Sequence, residues 1–400
     1  MTTVPRPRAS HPDRPAIDIE YITGLLFELL AIPSPAGYTD EIVHRTGQEL
    51  QRLGVPFELT RRGAIRADLQ GRVTSPDRAI VAHLDTLGAM VTTLKPNGRL
   101  GIASIGTWSS RFAEGARAKV LSESGCRTGT ILPLKASGHA FDREVDSQPI
   151  DWDHVEVRLD EVVQSDEELR QLGLRVGDFV AVEPNPERTP SGFVNSRHLD
   201  DKAGVAVVLG AVKAVLESGR PIPLDCHLVF TISEEVGSGS SHTLHRDVAE
   251  MVTIDSAPQA PGQAAIEFGV TLGMMDSAGP FDYHLTQKLI RLCEQYEIPF
   301  QRDVFRHYRS DSASAVEAGN DLRTALACFG VDASHGWERT HTHALQSLAE
   351  LLALYILSEP TFTRDADELT SLDGFSRMPT DPGEPTHPEN VDLPTDSRTS

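Results

Sequence analysis

With 400 residues and 39% apolar side chains, the chain is long enough to bury a large core, in one big domain or two linked ones. A formal net charge of -21 excludes a general nucleic-acid binder, which needs basic surface to neutralise phosphates. No apolar run reaches membrane-spanning length and the N-terminus lacks the apolar core of a signal peptide, so a protein with no membrane partner and a cytoplasmic location is expected.

In chain order, residues 1 to 16 read as a flexible leader. Helical spacing follows from Ile17 to Leu30, ending near Pro33 and Pro35, and a second helix is expected from Thr39 to Leu53. Two short strands, Pro56 to Thr60 and Ala64 to Leu69, flank the tight turn at Arg61-Arg62-Gly63. The run Arg78-Ala-Ile-Val-Ala-His83 has an apolar centre too short for a helix and reads as a buried strand. From 91 to 194 glycines recur between brief alternating runs, the texture of a β-rich module, with one short helix from Ser165 to Leu172 and a strand after Gly177. The α/β pattern then resumes, so the module reads as an insertion within a single α/β domain.

The resumption begins at Asn195-Ser-Arg-His-Leu-Asp-Asp-Lys-Ala-Gly204, where two adjacent carboxylates precede an apolar helix from Lys202 to Glu217. Three strands follow, at Cys226 to Ile232, Met251 to Asp255 and Ala264 to Val270. A helix is expected from Phe281 to Tyr296, a strand from Thr324 to Val331, and a last helix from His341 to Leu357. Residues 359 to 400 are rich in Pro, Asp, Glu, Thr and Ser and are expected to be disordered. The cysteines Cys126, Cys226, Cys293 and Cys328 lie far apart without a CxxC, which suits reduced thiols better than disulfides or a zinc ribbon.

Four of the strands deliver polar, metal-competent residues at or just beyond their C-terminal ends: His83 and Asp85, Glu234 and Glu235, Asp255, and His335. Ligands bind at that edge of open α/β sheets. Singly, each has an ordinary role: a core histidine, solvated loop charges, a turn former, or helix caps for Asp200 and Asp201. Five segments converging on one edge are harder to credit to solvation. Histidine with carboxylates and no cysteine suits zinc, cobalt or manganese, and a bridging carboxylate permits two ions, with Asp200 the natural bridge. In His83-Leu-Asp85, side chains two apart share a face, so Asp85 is expected to orient the imidazole without being a ligand. Of Glu234 and Glu235, one can bind metal while the other holds the attacking water.

These stretches, with Glu234-Glu-Val-Gly237 and His335-Gly-Trp-Glu338, resemble the signature of co-catalytic metallo-aminopeptidases of peptidase family M42 in clan MH. The related M20 peptidases and deacylases share most of the short motifs but insert their second domain after the Glu-Glu motif. Here the long β-textured gap lies earlier, between Asp85 and Asp200, as in M42. The resemblance implies a clan MH fold, a mixed central sheet flanked by helices, with an inserted β-rich, barrel-like dimerisation domain. It implies two divalent metal ions per subunit, one on His83, Asp200 and Asp255 and one on Asp200, Glu235 and His335. Glu234 is then the general base acting on a peptide or small amide substrate, and the subunits form dimers or dodecamers. Lys202 stands where Arg is usual, and His341 and His343 rival His335 as the last ligand. The pattern also resembles an M42-like subgroup found with synthesis of the osmoprotectant N-acetylglutaminylglutamine amide. The alternatives are an M20-like deacylase or dipeptidase acting on an N-acylated amide, and a non-catalytic scaffold of the same fold. Asp201 is assigned a bracing or capping role only.

Overall fold

The computed structural model describes residues 14–378. Its centre is a 12-stranded mixed sheet. The strands Leu224–Thr231, Val73–His83, Val248–Gln259 and Arg323–Asp332 lie side by side and all parallel, so their C-terminal ends open on one edge. In register, His83 stands beside Thr231 and Asp255 beside Cys328. Each of these strands is buried over nearly its whole length, which explains their continuous apolar runs. Antiparallel neighbours extend the sheet on both sides, among them Ile65–Leu69, Val270–Asp276, Glu338–His341 and Phe193–Ser196.

One face is covered by the helices Ile19–Leu30, Leu199–Ser218 and Thr342–Ile356, whose apolar residues join the sheet in the largest core cluster. Leu199–Ser218 is buried on every side through its first four turns, because it is packed between the sheet and the other two helices. Gly210 makes that approach possible: a Cβ there would meet Ile22 Cγ1 at 2.4 Å. The first residues of this helix, Asp200 and Asp201, have non-helical backbone angles and a cis peptide between them, so regular helix begins at Lys202 as expected.

The inserted module is a closed six-stranded antiparallel barrel with a core of its own. It runs from Gly88–Leu94 to Phe179–Val182, inside the expected limits of 91–194 at its C-terminal end. Phe193–Ser196 has already returned to the large sheet, pairing with Glu338–His341.

Two expectations change. Ala264 to Val270 is not a strand; the ladder starts at Val270 and runs to Asp276. The amides of Ala264 and Ala265 instead donate to Asp303 Oδ2 at 2.8 and 3.0 Å, so this stretch meets its hydrogen-bond needs through a side chain. The chain beyond residue 359 is ordered at first, because Phe362 is buried against the His284 ring and Asp365 pairs with Arg323 at 2.7 Å. Residues 379–400 and 1–13 lie outside the described residues. Among the described residues, no helix is long and apolar enough to cross a membrane, and all four cysteines are free.

Candidate metal centre

The parallel strands bring His83, Asp200, Glu234, Glu235, Asp255 and His335 to the sheet edge, where all but His83 line one large cavity and His83 lies buried directly behind Asp200. His83 ends its strand, and its Nδ1 donates to the Asp85 carbonyl at 2.9 Å. That fixes the tautomer and leaves Nε2 facing Asp200 Oδ1 at 3.1 Å. His335 repeats the arrangement. Its Nδ1 donates to the Thr107 carbonyl at 2.9 Å, and its Nε2 lies 3.5 Å from Asp200 Oδ2 and 3.8 Å from Glu235 Oε2. The two oxygens of Asp200 therefore face one imidazole nitrogen each. Ser256 Oγ donates to Oδ2 at 3.0 Å and steadies the carboxylate.

Asp85 meets the imidazole through its backbone carbonyl, with its Oδ1 also 3.7 Å from His83 Nδ1, and its Oδ1 and Oδ2 accept the amides of Glu234 and Glu235 at 3.1 and 3.2 Å. The buried side chain thus clamps the turn that presents both glutamates. Asp201 is also fully buried, accepting the His83 amide on Oδ2 at 3.2 Å. Its carboxylate fills the space beside Gly204, where a Cβ would come within 2.1 Å of Oδ1, and Oδ1 has no hydrogen-bond partner. This makes Asp201 a brace for the strand end carrying His83.

Glu338 is the residue whose role the sequence reading missed. It is buried, and its two oxygens accept the amides of His335 at 2.9 Å and Asp200 at 3.2 Å, tying two predicted ligands together through their backbones. The three-residue spacing from His335 was its only signal. Thr107, on the loop between the barrel strands Leu100–Ile105 and Arg117–Ser122, could not be found from sequence because it acts through its carbonyl. His341 and His343 stand at the start of the last helix. His341 is buried, with Nδ1 accepting the His343 amide at 3.0 Å and Nε2 2.9 Å from the Ser191 carbonyl, so it caps the helix. Arg309 lines the cavity; Asp311 is buried, accepting from Thr231 Oγ1 at 2.7 Å and the Ser240 amide at 2.6 Å.

Charge at this edge is unbalanced. Burial pushes Asp85 up to about 6 and Glu235 up to about 8. It also raises Glu234 and Asp255 well above the usual carboxylate range, with neighbouring carboxylates adding to the effect. Burial opposes ionisation of Asp200 too, but its contacts with His335 and His83 outweigh it and hold this carboxyl well below its ordinary value. His335 goes the other way: burial lowers it, yet Asp200 and Glu235 bring it up to about 10. Asp200 lies in two groups of possible ligands, one with His83 and Glu235 and one with Asp201 and Asp255, each within 4.8 Å. Six buried or cavity-facing carboxylates, counting Asp85 and Asp201, exceed what two imidazolium rings can neutralise. Imidazoles with Nδ1 already engaged and Nε2 turned inward are the donor geometry a divalent cation takes. The residues fit the metals the resemblance implies.

The parallel sheet with carboxylates and imidazoles at its C-terminal edge and a barrel inserted between His83 and Asp200 defines a metal-dependent peptidase fold. The chain belongs to peptidase family M42: the model of that family, described as M42 glutamyl aminopeptidase, matches residues 63–351. A relative in Bacillus subtilis (strain 168), a putative aminopeptidase YhfE, is 36% identical over 335 residues, covering 84% of this chain and 96% of its own. Among solved structures, the fold is shared with a TET aminopeptidase from the marine sediment archaeon Thaumarchaeota archaeon SCGC AB-539-E09 (TM-score 0.77, 17% identity, 84% of this chain and 96% of that one). It is also shared with the TET1 peptidase of Pyrococcus horikoshii, whose chains assemble into a tetrahedron or a large octahedral shell (TM-score 0.73, 21% identity, 83% and 98%).

Proposed function

We propose that the protein is an aminopeptidase working with two divalent ions, zinc, cobalt or manganese, one held by His83, Asp200 and Asp255 and the other by Asp200, Glu235 and His335. The observation that carries this reading is Asp200, whose two oxygens each lie beside a separate imidazole nitrogen, at 3.1 and 3.5 Å. When bound, the ions supply Lewis acidity for the scissile carbonyl and for the attacking water. Glu234 takes the proton from that water and returns it to the leaving amine, a role suited to a carboxylate that lines the cavity beside the proposed ligands. Asp85 holds Glu234 at the height where it can do so.

Metal analysis of the purified protein together with a substrate panel tests the reading. Two ions per subunit and release of free N-terminal residues are expected; hydrolysis confined to blocked N-termini would make the enzyme a deacylase instead. Self-association through the barrel is part of the proposal, supported by the assemblies of the structurally similar TET1 peptidase and by exposed Leu134, Phe141 and Ile150 on the module. Light scattering of the full chain reads it, and a monomer at micromolar concentration would overturn it.

A further inference from the structure

The two imidazoles beside Asp200 are held from different places. His83 ends a buried strand of the large sheet and donates from Nδ1 to the Asp85 carbonyl two residues on, so its orientation is settled within the sheet edge itself. His335 has no such local support. It sits in a turn with φ +63°, a left-handed backbone that side chains seldom adopt, and its side chain is 33% exposed against 2% for His83. Its Nδ1 reaches the Thr107 carbonyl, 228 residues away in sequence, on the barrel loop between Leu100–Ile105 and Arg117–Ser122.

That loop is pinned by the barrel. Gly106, with φ +80°, lets it pass close over the sheet domain, since a Cβ there would meet Leu87 Cδ2 at 2.5 Å. Trp108 Nε1 donates to the Gly88 carbonyl at 3.1 Å and Trp152 Nε1 donates to the Trp108 carbonyl at 3.3 Å, with the two rings edge to face and their centroids 4.8 Å apart. Both rings also pack on the barrel core. Trp152 is fixed in its turn: it opens the 3-10 turn Trp152–His154, which Asp151 caps by accepting the amides of Asp153 and His154 at 3.0 Å each. The strand that follows, Val155–Leu159, pairs antiparallel with Leu100–Ile105, so this turn lies at the end of the barrel where the loop departs. Further along the loop, Phe112 packs on Gly336, where a Cβ would come within 3.3 Å of the ring. A chain of contacts thus runs from the barrel core through Trp152, Trp108 and the Thr107 carbonyl to the His335 ring.

We propose that Trp152 and Trp108 are positioning residues for His335, so that the inserted barrel sets the affinity of one of the two ions and leaves the other to the sheet. This rests on the two-ion reading of the sheet edge. An imidazole whose outer nitrogen loses its acceptor turns more freely and is a poorer ligand, and removing a support of this kind weakens metal binding by about 10- to 100-fold. The ligands proposed for the other ion, His83, Asp200 and Asp255, all stand on the large sheet and its helix.

The test titrates the metal-free full chain with zinc against a competing chelator. The wild type is expected to bind in two steps. Trp152→Phe keeps a ring but removes the N–H, and one step is expected to weaken by about 10- to 100-fold while the other is unchanged. His335→Ala should lose that same step, and adding Trp152→Phe to it should change the remaining step no further. Trp108→Phe, which frees the loop from Gly88, is expected to behave like Trp152→Phe and replaces it if that variant does not fold. Peptidase activity lost at limiting zinc returns in excess zinc in either variant. Equal weakening of both steps, or weakening that persists without His335, overturns the proposal and makes the tryptophans packing residues alone. Two steps that neither variant moves also overturn it, while the two-ion reading survives. A single ion that Trp152→Phe weakens only in the presence of His335 has the opposite meaning: the two-ion reading fails and the proposal stands.

Discussion

Two clusters of histidine and carboxylate are built on this sheet, and they use the same side chains to opposite ends. At the C-terminal edge, His83 and His335 each spend Nδ1 on a backbone carbonyl and turn Nε2 towards Asp200. On the strand Leu224–Thr231, away from that edge, His227 gives both ring nitrogens to carboxylates, Nδ1 to Asp68 at 2.7 Å and Nε2 to Asp77 at 3.1 Å. His245 stacks on it with ring centroids 4.2 Å apart, and Arg66 Nε donates to His245 Nε2 at 3.2 Å. Asp68, His227 and His245 are as close together as a ligand set. There both ring nitrogens of His227 are engaged by carboxylates and His245 Nε2 accepts from Arg66, so the cluster is an ion pair, whereas the edge cluster has surplus negative charge facing a cavity. Proximity of His and Asp does not by itself make a metal site: both clusters set an imidazole Nε2 3.1 Å from a carboxylate, and the edge differs in its surplus of carboxylates and its opening to the cavity.

The contrast is broken most severely at Glu234. Glu234→Gln keeps size and hydrogen bonding but cannot take a proton, and kcat is expected to fall by about 10³-fold or more. Metal content, measured by elemental analysis, stays at the wild-type value because Glu235 and not Glu234 is the proposed ligand. Loss of bound metal in this variant would mean that the two glutamates have exchanged roles.

Asp85→Asn comes next. An asparagine can accept only one of the Glu234 and Glu235 amides and turns an N–H towards the other, leaving a donor unpaired at a cost of about 1–3 kcal/mol. The turn loosens, and kcat is expected to drop by roughly 10- to 100-fold with KM little changed. Glu338→Gln has the same defect between the His335 and Asp200 amides. Its expected signature is weaker metal binding, about 10-fold or more in a chelator competition, because both residues it positions are proposed ligands. A variant with normal metal affinity and merely lower melting temperature would reduce Glu338 to a structural role.

How much of this was visible beforehand follows the same division. The parallel strands were legible because burial on both faces writes continuous apolar runs, and the residues that follow them were legible because His, Asp and Glu are rare at such ends. The stretch Ala264 to Val270 was misread because its alternation mimics a strand, while its amides go to Asp303, 38 or 39 residues away in sequence. Sequence spacing puts Asp85 beside the imidazole of His83, and only the fold adds Glu234 and Glu235, whose amides reach its carboxylate.

The closed cluster gives the smallest effect and the sharpest sign. Burial works to lower the His227 pKa, but Asp68 and Asp77 raise it to about 9 from an ordinary value of 6.5. A group whose folded pKa is raised stabilises fully below its unfolded value, and this contribution fades as pH climbs through about 9. Asp68 is half exposed and burial raises Asp77, so the gain is discounted to the order of 2 kcal/mol. His227→Gln is therefore expected to lower Tm by about 2–3 °C at pH 6.5. Between pH 8 and pH 10 the gap to the wild type should narrow, while metal content and peptidase activity at neutral pH stay unchanged. A Tm difference that is the same at both ends of the range would show that His227 contributes packing alone. Loss of bound metal in this variant would instead turn the closed cluster into a third ligand site and undo the contrast with the sheet edge.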